Sequence, residues 1–483
     1  MKIMFASSEV VPYAKTGGLA DVAGALPKAL SKLGHEVCIV MPAYKNIKTG
    51  KKLRGFSLSI NGTAHEGCIR QTTIPDSKVT LYLIENSNYY NRDQLYQENG
   101  HDYRDNAERF SFYSMAALEL SKLLSWPPDI IHCNDWQTAL IPTYLKTIYK
   151  DDDFFRKTAS VFTIHNLAYQ GLCPHSKIKA IGLDETFFTP DYLEFYGKVN
   201  LMKGGLIFAN VINSVSKKYI EEIQTPEFGC GLEGLLNTRK EDTFGILNGL
   251  DYNVWDPKTD PDLVSNYSAV KLVNKRPNKE ALQKAFQLPV QPATPLIGIV
   301  SRLDKQKGFD LIAKSIKNIL SLNTQLVLLG TGSPEYEKLF QQLREKYPQQ
   351  IGVALKFDAA LAKKIYAGAD MFLMPSRYEP CGLGQLISLK YGTIPIVRST
   401  GGLADTIIDY HQNKRSGNGF SFDNYDAESL LDVIQRALLT YREKTAWTKL
   451  MNRGMLADFS WENSAKEYVK LYKKALVRAK ASR

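Results

Sequence analysis

Two stretches of the sequence combine basic residues with glycine immediately before a predicted helix. They are KTGG at residues 15–18 and SRLDKQKG at residues 301–308. The N–H groups and the dipole of a helix N-terminus favour anions, and glycine lets a phosphate approach closely. The second stretch predicts a diphosphate clamp in which Arg302 binds two oxygens at once and Lys307 adds a compact charge. A basic surface loop without a ligand is the alternative.

A third stretch, RYEPCGLG at residues 377–384, places a carboxylate beside a glycine-rich helix start. Glu379 is predicted to meet a ligand while the N–H groups of residues 382–384 bind a phosphate; the alternative is that Glu379 caps the helix. Cys381 has no paired base at a catalytic spacing, which favours a packing role. None of the three stretches has the dinucleotide or P-loop signature.

Polar residues also end two predicted strands in the first half, HCNDW at 132–136 and TIHN at 163–166. Histidine, asparagine and aspartate are good partners for sugar hydroxyls, and Trp136 offers a face on which a pyranose ring can lie. A buried, structural histidine is the alternative for His132 and for His165. The ligand spacing of structural zinc is absent.

The elements that must position these residues alternate between strand and helix, which predicts parallel sheets with right-handed crossovers. In the first half, buried runs typical of strands cover 2–10, 37–44, 128–135, 159–166 and 209–216. A second series covers 295–302, 324–332, 351–357, 371–376 and 393–399, with helices predicted over 308–320 and 334–346. The fold class is therefore α/β, with two doubly wound halves.

One hexapeptide, TGGLAD, occurs twice, at residues 16–21 and 400–405. Each copy follows a predicted strand and opens a predicted helix, so each lies at the carboxyl edge of its sheet, where open α/β sheets bind ligands. If these edges face each other, the copies line one cleft from both sides. The alternative is that both are plain strand-to-helix turns.

The composition is that of a globular protein: 483 residues, 44% hydrophobic and 11% aromatic, with a net charge of +11. It excludes disorder, and six cysteines are too few for a disulfide scaffold and suit a reducing compartment. The first residues do not form a signal peptide, and no run is long enough to span a membrane. We expect a cytoplasmic protein without membrane or nucleic-acid partners. Its excess positive charge either serves solubility or attracts phosphorylated small molecules.

Seven motifs in this order closely resemble the bacterial glycogen synthase and plant starch synthase family. They are KTGGLADV, HCNDW, FTIHNLAYQG, GILNGLD, VSRLDKQKG, PSRYEPCGLGQL and TGGLADT, and the resemblance covers essentially the whole chain. It implies the GT-B arrangement of two Rossmann-like domains around a cleft: 1–243, 244–459, and a helix over 460–483 that returns to the first domain. It also implies transfer of glucose from ADP-glucose to the 4-hydroxyl of an α-1,4-glucan with retention, without a metal or a cofactor.

The resemblance also implies roles for individual residues. Donor binding falls to Lys15, Gly17, Gly18, Asp21, Asn248, Arg302, Lys307, Phe357, Cys381, Gly382, Leu383 and Gly384. Catalytic roles fall to Asp135, His165, Arg302, Lys307 and Glu379, and acceptor binding to Asp135, Trp136 and Asn166. Phe357 would stack on the base, where the family more often has tyrosine. Gln137 replaces a common histidine and Gly384 a common threonine or serine.

The chemistry requires a nucleoside diphosphate to leave C1 of the sugar. Arg302 and Lys307 are expected to stabilise the leaving group, and Lys15 is expected to converge with Lys307 on the same pyrophosphate. The sequence identifies no carboxylate nucleophile for a double displacement, which favours a same-face substitution in which the departing phosphate takes the proton of the acceptor. A phosphorylase, a nucleotide-sugar epimerase and a non-enzymatic glucan-binding protein are the alternatives.

Overall fold

The computed structural model describes residues 1–481, which divide into two compact units. Unit 1 comprises Met1–Gly249 and the segment that begins at Trp461, and unit 2 comprises Leu250–Ser460. The sequence predicts these divisions at 243/244 and 459/460. Residues 482 and 483, which the predicted last helix includes, lie outside the described part of the chain.

Unit 1 is built on a nine-stranded sheet. The strands of unit 1, in chain order, are β1 (Lys2–Ala6), β2 (Glu36–Pro42), β3 (Lys51–Ile60), β4 (Thr63–Thr73), β5 (Thr80–Glu85), β6 (Gln97–Glu98), β7 (His101–Asp102), β8 (Ile130–Asn134), β9 (Ala159–Ile164), β10 (Leu172–Pro174), β11 (Glu194–Phe195), β12 (Lys198–Asn200), β13 (Val211–Ser214) and β14 (Thr243–Gly245). Its first helices are α1 (Gly18–Lys32), α2 (Ser87–Tyr90), α3 (Asn106–Leu123), α4 (Leu140–Lys146), α5 (Leu201–Phe208), α6 (Lys217–Ile223) and α7 (Glu233–Thr238).

The strand order of the large sheet fixes where its ligand edge lies. The order is β14-β13-β9-β8-β1-β2-β5-β4-β3, and every pairing is parallel except those that β4 makes with β3 and β5. The chain winds from β1 outward through β2 and β5, and then returns to place β8 on the other side of β1. This is a topological switch point, and the loops that follow β1 and β8 therefore open into the crevice where α/β sheets bind ligands.

Unit 2 contains a second, six-stranded sheet. Its strands are β15 (Leu296–Val300), β16 (Gln325–Leu329), β17 (Ile351–Ala354), β18 (Met371–Met374), β19 (Ile394–Arg398) and β20 (Phe420–Phe422). Its helices are α8 (Arg276–Ala285), α9 (Phe309–Ser321), α10 (Pro334–Lys346), α11 (Ala359–Gly368), α12 (Gly384–Lys390), α13 (Gly401–Thr406), α14 (Ala427–Arg442) and α15 (Lys444–Leu456). The order β17-β16-β15-β18-β19-β20 is wholly parallel and is that of a Rossmann fold, with its switch point between β15 and β18.

The last helix, α16 (Trp461–Ala481), packs on unit 1. Its tyrosines are buried and bind polar side chains at the centre of the nine-stranded sheet. The Tyr472 hydroxyl lies 2.8 Å from Nδ1 of His132, and the Asn213 amide donates to the Tyr468 hydroxyl at 3.2 Å. His132 is therefore a structural residue, which was the alternative for it. In residues 1–481 no helix is long and apolar enough to cross a membrane.

Candidate active site

In unit 1 the loops after β1, β8 and β9 carry the predicted sugar and phosphate ligands. The strands pair in parallel, β9 with β8 and β8 with β1, so their carboxyl ends meet at one edge. The predicted first strand, 2–10, ends early at Ala6, and the residues that follow turn out of the sheet. The structure thereby brings Lys15, Asp135 and His165 to one edge of unit 1.

Glu9 is a site residue that the sequence analysis missed. Its side chain is buried, and its carboxylate accepts hydrogen bonds from the N–H of Thr16 at 2.5 Å, the N–H of Gly17 at 3.2 Å and the hydroxyl of Tyr96 at 2.8 Å. Two of the N–H groups that were expected to be free for phosphate at the start of α1 are thus bound to the protein's own carboxylate. An acidic residue inside the predicted buried run 2–10 was the available signal.

Lys15 and the two glycines of the first TGGLAD copy line an open surface. Lys15 Nζ lies 2.7 Å from the Asp21 carboxylate, whose pKa is raised by burial although Lys15 lowers it. A Cβ atom added to Gly17 or Gly18 would meet nothing within 4 Å. The space beside these glycines is therefore available to a ligand.

The second TGGLAD copy has a different environment, because its glycines pack against the backbone of the 377–384 loop. A Cβ on Gly401 would lie 2.0 Å from the carbonyl oxygen of Glu379, and one on Gly402 would lie 2.0 Å from that of Cys381. The N–H of Gly402 donates to the Glu379 carbonyl at 3.0 Å. This copy holds the loop that carries Glu379.

The two copies predict opposite outcomes for the same substitution. Gly18→Ala is expected to leave the melting temperature unchanged, since the added methyl group has room. It is also expected to raise the KM for the donor that the resemblance implies at least severalfold. Gly402→Ala, at the matching position of the other copy, is expected to lower the melting temperature by several degrees because backbone must move. Thermal unfolding and donor KM measured on both variants check this, and a destabilised Gly18→Ala with normal donor KM would contradict it.

Asp135 has the least favourable backbone at this edge. Its φ of +55° and ψ of −178° fall in a region that is essentially restricted to glycine, and strain of this kind persists where the surroundings enforce it. The N–H of His165 donates to its carboxylate at 2.7 Å. Burial raises the pKa of Asp135 to about 7, against hydrogen bonds from the N–H groups of His165 and Asn166 that lower it.

The imidazole of His165 is neutral and its tautomer is fixed. Burial lowers the pKa of His165 to about 3. Its Nε2 lies 2.9 Å from Oδ1 of Asn134, and the Asn134 amide nitrogen donates to the Ala6 carbonyl at 2.9 Å, so Nε2 carries the hydrogen. Nδ1 is then a hydrogen-bond acceptor, suited to a sugar hydroxyl and not to proton donation.

Burial of His132 makes stability depend on pH. Its pKa is lowered to about 3 by burial, while the unfolded chain titrates near 6.5, so the unfolded state binds the extra proton between these values. Stability is full above about pH 6.5 and falls on acidification. Between pH 7.5 and 5.5 we expect the free energy of unfolding of the wild type to fall by about 1.4 kcal/mol more than that of His132→Gln. Urea unfolding of both proteins at the two pH values measures this difference, and a constant difference would refute it.

The structure leaves Asn248 able to bind a ligand but covers the ring of Trp136. Trp136 is only 8% exposed, and a Cβ on Gly171 would lie 2.5 Å from its Cε3, so its ring is covered and the prediction of an open stacking face is wrong. Asn248 is buried, and its Oδ1 has no hydrogen-bond partner among residues 1–481. An unpaired buried acceptor of this kind is suited to a hydroxyl donor.

In unit 2 the loops after β15 and β18 bring Lys307 and Glu379 together. Lys307 Nζ lies 2.9 and 2.7 Å from the two carboxylate oxygens of Glu379, and the Ser376 hydroxyl donates to the same carboxylate at 3.0 Å. Gly308, with φ of +76°, packs against the carbonyl oxygen of Pro375 and so joins the two loops. Both predicted ligands therefore lie at the switch point of this sheet.

The remaining basic and aromatic candidates of unit 2 are accessible. The Arg302 side chain is 57% exposed, with its guanidinium 3.6 Å from Asp304, and Lys305 is exposed in the same loop. Phe357, which follows β17, is 86% exposed, as a base-stacking ring requires. These side chains have room for a ligand.

The glycine-rich start of α12 is tightly packed. Cys381 is buried, in keeping with the packing role preferred for it, and Gly382 has φ of +73°. A Cβ on Gly384 would lie 2.9 Å from the ring of Phe372, which explains why the smallest residue stands there. Leu383 precedes the helix as its N-cap residue.

Both halves of the chain match families of known proteins. Residues 2–238 match the starch synthase catalytic domain, and residues 281–450 match the glycosyl transferases of group 1. The glycogen synthase of Geotalea uraniireducens is 50% identical over 99% of both chains. The chain belongs to the glycogen and starch synthase family. It is accordingly an enzyme of glucosyl transfer in glycogen or starch synthesis.

Other members of the glycogen and starch synthase family agree in sequence and fold. The glycogen synthase of Moorella thermoacetica is 49% identical, covering 100% of this chain and 98% of its own. The catalytic domain of starch synthase IV from Arabidopsis thaliana, bound to ADP and acarbose, is 35% identical with a TM-score of 0.89 over 99% of both chains. Sucrose-phosphate synthase from Thermosynechococcus elongatus, at 18% identity and a TM-score of 0.58 over 98% of both chains, shares the fold. The predicted α/β fold class of the GT-B glycosyltransferases is confirmed.

Proposed function

We propose that this enzyme transfers glucose from ADP-glucose to the non-reducing 4-hydroxyl of an α-1,4-glucan with retention and without a metal. The observation that carries the proposal is the Lys307–Glu379 pair at the switch point of unit 2, with N···O distances of 2.7 and 2.9 Å. The pair places an ammonium group that can bind phosphate next to a carboxylate that can bind sugar hydroxyls. The starch synthase IV catalytic domain bound to ADP supports the choice of donor.

The first task of such a site is to stabilise the departing diphosphate. Negative charge grows on the leaving oxygen as the bond to C1 breaks. Arg302 can bind two phosphate oxygens and Lys307 adds a second positive charge, both held on loops that the sheet positions in advance. In the proposal these fixed cations do the work that a metal ion does in other enzymes, and addition of EDTA is expected to leave the rate unchanged.

The second task is to stabilise positive charge on the sugar ring. Three carboxylates lie at the ligand edge of unit 1, those of Glu9, Asp21 and Asp135, and Lys15 pairs with one of them, Asp21. Glu9 raises the pKa of both aspartates, after the larger effect of burial. A net negative field favours an oxocarbenium-like transition state over the neutral ground state. We assign the main part to Asp135 in its ionised form.

The third task is to place the acceptor hydroxyl on the same face of the glucose ring from which the diphosphate departs. The bond from C1 to the phosphate oxygen breaks, the bond from C1 to the acceptor O4 forms, and the proton of that hydroxyl passes to the departing phosphate oxygen. The acceptor hydroxyl itself attacks C1, so the proposal requires no enzyme nucleophile. Glu379, which is paired with Lys307, is assigned to the glucose hydroxyls. The reaction takes place without a cofactor.

The six cysteines, all free thiols, are compatible with a cytoplasmic enzyme. Neither nucleic acid nor a membrane has a part in the proposal.

A side-by-side assay of ADP-glucose and UDP-glucose with a maltooligosaccharide tests the choice of donor. We expect chain extension from ADP-glucose with a kcat/KM at least tenfold above that for UDP-glucose. Omission of the acceptor is expected to abolish ADP release, which separates transfer from hydrolysis. Equal or better use of UDP-glucose would refute the donor, and product formation from glucan and phosphate alone would instead indicate a phosphorylase.

A further inference from the structure

The covered ring of Trp136 leaves the glucan acceptor without the stacking face that the sequence assigned to it. Sugar rings pack on the faces of aromatic side chains, and such a face must be exposed to be used. Two tyrosines on neighbouring segments of unit 1 meet this requirement. Tyr169 is 55% exposed and Tyr196 is 83% exposed.

Tyr169 lies in the turn that follows β9. Its N–H donates to the carbonyl of Asn166 at 3.3 Å, and the N–H of Ala168 donates to the Asn166 side chain at 3.1 Å. Asn166 is a predicted acceptor ligand and follows His165 directly. The backbone of Tyr169 is thus fixed to Asn166, three residues earlier, and the Tyr169 side chain is exposed beside the catalytic edge.

Tyr196 occupies a strained position at the tip of the hairpin between β11 and β12. Its φ is +49° and that of Gly197 is +78°, a pair of positive angles for which asparagine followed by glycine is the preferred sequence. A bulky aromatic residue is disfavoured at such an angle. An exposed aromatic side chain kept at the cost of backbone strain indicates a function for the ring.

Gln170 ties the two segments to each other. Its amide nitrogen donates to the carbonyl of Cys230 at 3.1 Å, and its oxygen accepts from the Asn200 amide at 2.6 Å at the end of β12. A Cβ on Gly231, next to Cys230, would lie 3.4 Å from the Tyr196 ring. Gln170 therefore fixes the loop of Tyr169 against the hairpin and turn that support Tyr196.

We propose that Tyr169 and Tyr196 form an aromatic surface on which successive glucose units of the α-1,4-glucan acceptor stack. The inference rests on the proposed function for the identity of the sugar chain. Tyr169, beside Asn166, contacts units near the reacting end, and Tyr196 contacts units further along the chain. Phosphate and nucleotide have no part in this surface, so donor binding does not depend on it.

The test measures glucan binding separately from catalysis. We compare the mobility in native gels with and without glycogen, and the Kd for maltoheptaose from intrinsic fluorescence. The proteins compared are the wild type, Tyr169→Ala, Tyr196→Ala, Tyr169→Phe and Tyr196→Phe. Leu456→Ala, which removes a 74% exposed side chain of unit 2, is the control. We expect about five- to tenfold weaker binding for each alanine variant and near-normal binding for phenylalanine and for the control.

A further variant separates a binding role from a structural one. Tyr196→Asn creates the preferred hairpin sequence and is expected to raise the melting temperature while it weakens maltoheptaose binding. The KM for maltotriose should rise only in Tyr169→Ala, and the KM for the donor should not change in any variant. Glycogen binding equal to that of the wild type in both alanine variants, or no retardation of the wild type by glycogen, would overturn the inference. If the wild type has no transferase activity but binds glycogen, and the alanine variants lose this binding, the inference is supported and only the proposed transfer is refuted.

Discussion

Lys307→Ala is expected to lower kcat by about 10²–10³-fold and to leave the KM for the glucan almost unchanged. The ammonium group neutralises charge that appears on the diphosphate only as the bond to C1 breaks, so its removal acts on the transition state. Initial rates of ADP release at saturating donor and varied maltoheptaose measure both constants. Arg302→Ala is expected to act in the same direction.

The same loop provides the control. Lys305 is exposed two residues away, and Lys305→Ala is expected to retain at least half of the wild-type kcat. Because Lys307→Ala leaves the buried Glu379 without its cation, the double variant Lys307→Ala/Glu379→Gln should regain stability and stay inactive. Near-wild-type turnover of both Lys307→Ala and Arg302→Ala would rule out stabilisation of the leaving group by these residues.

Asp135→Asn is expected to lower kcat by about 10²-fold or more while the protein becomes more stable at pH 8. The amide keeps an acceptor for the N–H of His165 but has no charge to stabilise the sugar ring. Burial raises the pKa of Asp135 to about 7, so the folded state favours the protonated carboxyl group. At pH 8 the ionised Asp135 therefore lowers the free energy of unfolding, whereas asparagine does not ionise.

The pH profile gives a second measurement of the same residue. In the wild type, kcat should rise between pH 6 and 8 with an apparent pKa near 7, as Asp135 ionises. In Asp135→Asn this limb should disappear, and kcat should stay low throughout. An unchanged limb in the variant would assign the titration to another group and contradict the role of Asp135.

The parallel strands and their loops were predictable because buried strands of such sheets are nearly continuous apolar runs. Helix α10 matches the predicted 334–346, and the strands that precede the loops of Arg302 and Glu379 lie where their apolar runs indicate. The hairpin of β3 and β4 gave no such signal, because β3 is mostly exposed and therefore contains no continuous apolar run.

The site was predictable only in part, because residue type and spacing do not reveal which donors and rings are already occupied. Glu9 binds N–H groups that a glycine-rich helix start otherwise offers to phosphate, and this depends on where the chain turns after Ala6. Trp136 is covered because Gly171 approaches it from a segment 35 positions away. The second TGGLAD copy likewise serves packing because of contacts with residues 379–381.

One measurement follows bond breaking and bond formation together: proton NMR of the wild type with ADP-glucose and maltotriose, recorded during the first turnovers. We predict that each ADP released is matched by one new α-1,4 linkage, with no free glucose and no β-anomer at any time. A β-linked initial product, or ADP that accumulates without a lengthened chain, would contradict same-face transfer by this enzyme.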